Sequence, residues 1–283
     1  MKVVRTIRDA RRELAELGVG RNVGLVPTMG ALHEGHLSLL RAARDTCDVV
    51  VLSIFVNPLQ FGPSEDLARY PRDEASDLAA AENVGVDAVF LPSVEEMYPP
   101  GTAVRVCPGP LGEVLEGAAR PGHFDGVATV VTKLFNIVRP GAAFFGQKDA
   151  QQVAVVKAMV RDLDMGIDIH VCPIVREPDG LALSSRNVYL SADERAAALI
   201  LSRALRRGAE RLAEEGDVAS AEREMWAMLD AQDGVVPDYA AVVDPDDMGP
   251  PRADGPILLA VAARVGTTRL IDNVLAGTED GRA

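Results

Sequence analysis

The sequence predicts an α/β fold, with a doubly wound parallel sheet over residues 1–175 and a smaller C-terminal α+β domain over residues 176–283. Three observations carry this prediction. Short apolar runs alternate with amphipathic stretches of ten or more residues, which is the pattern of βαβ units. The run VVVLSIFV at 49–56 is apolar on both faces save Ser53, as a strand covered on both sides by helices must be. After Val175 the pattern breaks: a polar segment, REPDGLALSSRN at 176–187, leads into a stretch rich in Ala, Arg and Glu.

Taken in order, the N-terminal segment MKVVRTIRDARRELAEL reads only as polar and charged, with no apolar signal core. Residues 23–26 form the first predicted strand. A turn follows, and then Leu37, Leu39, Leu40, Ala42 and Ala43 fall at helical spacing. The strand at 49–56 must end at Asn57-Pro58, because proline has no N–H to give to a sheet ladder. A helix with an alanine-rich face is predicted at 73–83, a strand at 87–91, an apolar helix at 123–138 and a strand at 142–145. Helix 149–163 and strand 167–171 complete the sheet, giving a Rossmann-like order of elements. In the second domain the predictions are helices at 192–215 and 219–229 and strands at 239–243, 257–265 and 269–271. The tail GTEDGRA at 277–283 is expected to fray.

With 283 residues, 48% hydrophobic and 25% charged, the chain has the composition of a globular protein with a sizeable core. Lys and Arg number 29 against 42 Asp and Glu, a formal charge of -13, and the pI is near 4.8. Such a balance argues against coating nucleic acid or lying on a membrane, so an anionic ligand needs a local basic pocket. Cys47, Cys107 and Cys172 are odd in number, far apart and in no CxxC pair, which fits a reducing cytoplasm rather than a disulfide framework. No run of about 18 apolar residues occurs, so neither secretion nor a membrane span is expected.

Two phosphate-loop readings fail. GAAFFGQK at 141–148 lacks the Ser or Thr that follows the lysine of a P-loop. Gly18, Gly20 and Gly24 precede the first predicted strand, the wrong side for a dinucleotide fingerprint, and are read as turn residues. More informative is PTMGALHEGH at 27–36, which sets His33 and His36 three apart where a loop enters a helix, on one helical face. A metal pair is the weaker reading, since HExxH needs a spacing of four. The C-terminal end of a strand in an open parallel sheet is where ligands bind, and a helix N-terminus offers N–H groups to phosphate. Neutral imidazole suits that positive pole.

The string LVPTMGALHEGH at 25–36 contains the HxGH motif of the nucleotidylyltransferase superfamily and resembles the pantothenate synthetase (pantoate-beta-alanine ligase) family. SIFVNPLQF (53–61), EDLARYPR (65–72), RPGHFDGVATVV (120–131), FFGQKDAQQ (144–152) and DGLALSSRN (179–187) match that family in order and spacing. The C-terminal domain carries no string that serves alone. The resemblance implies ATP-dependent condensation of pantoate with beta-alanine to pantothenate, a coenzyme A precursor. The by-products are AMP and pyrophosphate, and a pantoyl adenylate lies between.

It also implies roles. His36 leads the catalytic set with His33, Lys148 and Arg186. ATP binding falls to Met29, Gly30, Ala31, Leu32, His33, Glu34, Gly35 and His36; to Gly146, Gln147, Lys148 and Asp149; and to Val175, Leu183, Ser184, Ser185 and Arg186. Gln60 and Gln152 bracket pantoate, with Asn57, Tyr70, Arg120 and His123 closing the pantoate and beta-alanine pocket. Mg²⁺ rides mainly on ATP, with Asp77 as its protein contact. A cytoplasmic homodimer is implied, with no nucleic-acid or membrane partner. The chain departs from the family pattern at Gln147, where Glu is usual, at Ala150, where an aromatic is usual, and at Ser76, where an acid is frequent. Segments 57–72 and 176–187 are expected to move as lids over the intermediate. Two rivals are weighed: a relative that transfers AMP to a phosphate or mononucleotide and has no amine site, and a non-catalytic nucleotide-binding module. The second would show loss of His36, Lys148 or Arg186, and all three are present.

Overall fold

The computed structural model describes residues 1–63 and 65–277, so the tail expected to fray lies outside the described residues beyond Gly277. Two compact units are formed. One takes Met1–Gly146 and Val155–Pro173, and the other takes Gln147–Ala154 and the chain from Ile174 onward. The break near 174 lies beside the predicted one at 175/176. Gln147–Ala154 nevertheless groups with the second unit, and the bonds responsible are described below.

In the first unit the elements are β1 (Lys2–Val4), α1 (Ile7–Leu17), β2 (Val23–Thr28), α2 (Glu34–Thr46), β3 (Val49–Ile54), α3 (Glu74–Asn83) and β4 (Ala88–Phe90). After the short helices α4 (Val94–Met97) and α5 (Glu116–Ala119) come α6 (His123–Val138), β5 (Ala142–Gly146), α7 (Ala150–Asp162) and β6 (Asp168–Cys172). Helix α7 begins in the second unit and continues in the first. The sheet is parallel throughout, in the order β1-β4-β3-β2-β5-β6. The chain therefore steps outward from β2 through β3 to β4, then returns to add β5 on the other side of β2. That reversal between β2 and β5 is the switch point at which open α/β sheets bind ligands. Leu25, Leu52, Phe90 and Phe144 are fully buried in the core of this sheet.

Three readings are corrected here. The N-terminal segment, taken only as polar, folds as edge strand β1 and amphipathic helix α1. Thr6 caps α1 by accepting from the Asp9 N–H, and Ala10 and Leu14 are its buried residues. Strand 23–28 is therefore the second strand, not the first. Gly24 lies inside it rather than in a turn: a Cβ there would meet Cys47 Sγ at 2.8 Å and the Phe144 ring at 3.1 Å. Gly18 and Gly20 do turn the chain, Gly18 as the C-cap of α1 and Gly20 at a φ of 66°.

In the second unit, helix 192–215 is two helices, α8 (Ala192–Ala198) and α9 (Ile200–Glu215), broken at Leu199. Ser202 Oγ donates to the Leu199 carbonyl there at 3.2 Å, beside the ladder bond from the Arg203 N–H at 3.3 Å. Helix α10 (Val218–Asp230) follows, then an antiparallel sheet of β7 (Val235–Val243), β8 (Leu258–Val265) and β9 (Thr268–Leu275). β7 starts earlier than predicted because the register shift between Pro237 and Tyr239 lets the strand pass proline. Leu201, Leu205, Met225, Leu229, Leu258 and Leu259 fill the core of this unit. Cys47, Cys107 and Cys172 are all free thiols, and no described helix is long and apolar enough to cross a membrane.

Gly24→Ala is expected to destabilise the protein by about 1–3 kcal/mol, the cost of overpacking a full core. Adding Cys47→Ala should recover part of that loss by removing the nearest atom. Urea unfolding of the two single variants and the double variant checks it, and strict additivity would show that the contact is not the cause.

Candidate active site

β2 ends in a loop whose backbone is fixed by side chains. Thr28 Oγ1 donates to the Ser53 carbonyl at 2.8 Å and accepts from the Gly30 N–H at 3.3 Å. Gly30 and Ala31 then both turn left-handed, at φ 82° and 51°. This turns two successive N–H groups towards one carboxylate: Ala31 donates to Asp77 Oδ2 at 2.9 Å and Leu32 to Asp77 Oδ1 at 2.7 Å. Asp77 is only 4% exposed. Glycine is needed at 30 for its positive φ and because a Cβ would sit 2.8 Å from Asp77 Oδ2.

The loop delivers His33 as the N-cap of α2 and His36 as its third residue, and the two imidazoles form a capping box. His33 Nδ1 accepts from the Gly35 N–H at 3.2 Å, and His36 Nδ1 accepts from the His33 N–H at 3.3 Å. A neutral ring whose Nδ1 accepts must carry its proton on Nε2. Both rings, with centroids 4.1 Å apart, are therefore fixed as Nε2–H donors at the positive end of a helix. The N–H groups expected to meet phosphate are in good part used internally: those of Ala31 and Leu32 by Asp77, and that of Gly35 by His33. What the motif presents in their place is imidazole N–H. Glu34 pairs with Arg41, whose hydrogen bond and charge hold the carboxyl below its usual range.

Asn57, Gln60, Arg120 and His123 meet in one network. Asn57 is 1% exposed and satisfied on every side. Its Oδ1 accepts from the Leu59 N–H at 3.3 Å and from the Tyr98 hydroxyl at 2.9 Å, while Nδ2 donates to Gln60 Oε1 at 3.0 Å and the Gly126 carbonyl at 3.1 Å. A Cβ at Gly126 would strike the Leu59 carbonyl and lie 2.6 Å from the Gln60 N, so α6 and the turn at Pro58–Gln60 touch backbone to backbone. Arg120 grips Glu65 with two bonds of 2.7 Å and reaches the Gln60 carbonyl at 3.2 Å. It also donates to His123 Nε2 at 3.1 Å, since guanidinium can only donate. His123 must then carry its proton on Nδ1 and give it to the Gln60 carbonyl at 2.8 Å. Asn57, Arg120 and His123, expected at the pocket, thus all bond to Gln60, whose Nε2 contacts Met29 Sδ at 3.4 Å. Tyr70 is buried edge-on against Phe61. These bonds hold Asn57, Leu59 and Gln60 against α6.

In the second unit the GQKD turn at Gln147–Asp149 is held by β9. Asn273 Nδ2 donates to the carbonyls of Gln147 at 3.0 Å and Lys148 at 2.8 Å, and its Oδ1 accepts from Gln147 Nε2 at 3.1 Å. Next door, Asp272 takes both Arg176 nitrogens, at 2.7 and 3.0 Å. Burial pushes the Asp272 carboxyl up, against the lowering effect of Arg176. Lys148 Nζ lies 3.9 Å from Asp149 Oδ1. Ser184 caps the turn Ser185–Tyr189 by accepting from the Arg186 N–H at 3.2 Å, and the Leu183 N–H reaches the Val175 carbonyl at 3.0 Å. Asn187 and Arg195 both bind Glu177, so segment 176–187 is braced across its width. Gln152 is half-buried on the first turn of α7. Sequence reading missed Asp272 and Asn273, along with Glu65, Tyr98 and Gly126. Two adjacent polar residues inside the apolar string LIDNVL were the available signal.

A model of the pantoate-beta-alanine ligase family matches residues 2–275. The chain belongs to the pantoate-beta-alanine ligase family. The pantothenate synthetase of Chloroflexus aurantiacus strain J-10-fl is 56% identical over 282 residues, covering 97% of this chain and 98% of that one. That of Moorella thermoacetica is 54% identical, covering 99% and 100%. The crystal structure of pantothenate synthetase from Thermus thermophilus is similar at a TM-score of 0.91 and 50% identity, covering 97% of this chain and 99% of that one. A pantoate-beta-alanine ligase from Francisella tularensis, solved in complex with beta-gamma ATP and beta-alanine, is similar at 0.82 and 34%, covering 99% of each chain. Within this ligase family fold, the paired imidazoles stand at the end of β2, at the sheet's switch point.

The His123 ring gives a pH signature. Burial first, and the Arg120 charge second, push its pKa down from 6.5 to about 4, against the Gln60 carbonyl bond. The unfolded chain therefore binds this proton first as pH falls. The stabilisation is complete above about pH 6.5 and is lost on the way down to about pH 4. Urea unfolding across that window should show a slope of up to about 1.4 kcal/mol per pH unit from this group. His123→Gln should flatten that part of the curve; an unchanged curve would contradict the assignment.

Proposed function

We propose that this chain joins pantoate to beta-alanine at the expense of ATP, through a pantoyl adenylate, releasing pyrophosphate and then AMP. The observation that carries this reading is the His33 and His36 pair, set as Nε2–H donors at the N-terminus of α2. In the first step a pantoate carboxylate oxygen bonds to the α-phosphorus and the bond to the bridging oxygen of pyrophosphate breaks. Negative charge grows on the leaving phosphates, so preorganised donors and cations lower the barrier without a protein nucleophile. His36 and His33 supply neutral donors, while Lys148 and Arg186 supply charge. Ser184, Ser185 and the backbone of 29–36, 146–149, 175 and 183 hold the nucleotide. Gln60 and Gln152 bond pantoate through amides that add no charge to blunt its carboxylate. In the second step the free amine of beta-alanine attacks the acyl carbon and AMP leaves. The Francisella tularensis complex supports ATP and beta-alanine as the ligands.

Mg²⁺ would neutralise phosphate charge when ATP is bound. Asp77, the carboxylate singled out for it, already accepts a backbone N–H on each oxygen. No group of three or more His, Cys, Asp or Glu that could hold a metal occurs among the described residues. We assign the ion mainly to the phosphates of ATP, as suits a cation that keeps its waters, and no step is routed through it. We further assign nucleotide and pantoate binding to residues 1–175 and a covering role to 176–283, in a cytoplasmic homodimer without nucleic-acid or membrane partners. The resemblance supports the dimer, and the acidic balance supports the absence of those partners.

Pyrophosphate exchange into ATP, run with pantoate and without beta-alanine, is expected to proceed. Its absence while pantothenate still forms on adding the amine would defeat the adenylate. His36→Ala and Lys148→Ala should each slow exchange by about a hundredfold or more, the scale of losing one transition-state donor. Exchange at the wild-type rate in both would refute their roles.

A further inference from the structure

We propose that Asn273 is a positioning residue for the adenylation step, acting on Lys148 through the Lys148 main chain. Asn273 lies on β9 and is 3% exposed. Both of its amide hydrogens go to adjacent carbonyls, those of Gln147 and Lys148, and its oxygen receives the Gln147 amide. A primary amide that donates to two successive carbonyls fixes the two peptide planes that meet at the Lys148 Cα, and with them the direction in which the Lys148 side chain leaves the backbone. Gln147 completes the arrangement as a donor, a role that a carboxylate at 147 could not fill. The main chain of Asn273 is held by its neighbour: Asp272 Oδ1 accepts the Asn273 backbone N–H at 2.8 Å while both Asp272 oxygens bind Arg176.

One dipeptide of a C-terminal strand therefore anchors the GQKD turn that the resemblance assigns to ATP directly, and reaches the Gly180 carbonyl at 3.2 Å through Arg176. Lys148 needs such an anchor because a cation acts on a transition state only from a fixed place, and misplacement by about 1 Å can cost about a hundredfold. The proposal rests on the assignment of Lys148 to the phosphates.

The test is a double-mutant cycle read by single-turnover pantoate adenylation. Asn273→Ala should lower the rate by about 10- to 100-fold in the native background. In a Lys148→Ala background it should lower it less than about threefold further, because residues acting as a unit are not additive. An equal loss in both backgrounds would show a merely structural role and overturn the proposal, as would a native rate in Asn273→Ala. If Lys148→Ala itself keeps the native rate, the assignment of Lys148 fails and this inference falls with it. That result is separable from a failure of Asn273 alone. Should Asn273→Ala not fold, Gln147→Met removes a single bond of the clamp and carries the same comparison. Its expected loss is about fivefold in the native background and none in Lys148→Ala. The same loss in both would overturn the proposal.

Discussion

The buried Asp77 carboxylate and the two backbone N–H groups it collects are the constraint on which the first half of the site depends. Two successive residues in the left-handed region are unfavourable for an L-residue chain, and Ala31 has no glycine's freedom. A charged acceptor on each N–H offsets that cost, since hydrogen bonds to charged groups are the strong ones. Once the loop is closed on Asp77, the helix that follows must begin at His33. The two imidazoles then become its cap, and their tautomers follow from the cap. The chemistry on offer, a pair of neutral N–H donors beside a helix N-terminus, is thus a consequence of a carboxylate on a different helix.

The second half is built by the same device with different groups. Asp272 and Asn273 sit side by side in a strand whose neighbours are apolar, and each is matched to a partner that would otherwise leave an unpaired group. Arg176 opposes the desolvation that pushes the buried Asp272 carboxyl up, without cancelling it. Gln60 is served in a comparable way: Glu65 neutralises Arg120, Arg120 sets the tautomer of His123, and both converge on one carbonyl. Burial would raise the Glu65 carboxyl, but Arg120 outweighs it and holds the group below its usual range.

In each case the carboxylates Asp77, Glu65 and Asp272 stand behind the residues proposed to touch substrate, not among them. For a chain with a net charge of -13 that has physical sense. Carboxylates facing an ATP site would repel the phosphates, whereas carboxylates that bind backbone N–H or arginine can hold the frame with their charge locally compensated.

Much of this was legible beforehand. Helix 123–138 has the bounds predicted for it, because an apolar face bounded by Gly122 and Arg139 leaves little freedom. The strand predicted at 49–56 from its nearly continuous apolar run forms over Val49–Ile54, ending before the Asn57-Pro58 stop. The helix from 192 was read as continuous because its composition gives no sign of the break at Leu199. The edge strand at Lys2–Val4 and helix α1 escaped notice since one side of each faces water and few apolar residues mark them. Of the site, the sequence by itself determined which residue types are present and that His33 and His36 start a helix, for these depend on neighbours within a few positions. Only the tertiary structure decided that Asp77 holds a loop 46 positions away, that Arg120 and His123 support Gln60, and that Asn273 clamps a turn 126 positions upstream. Hydrogen bonds are set by distance and direction in space, and no local pattern encodes which distant strand will bring a partner within about 3 Å.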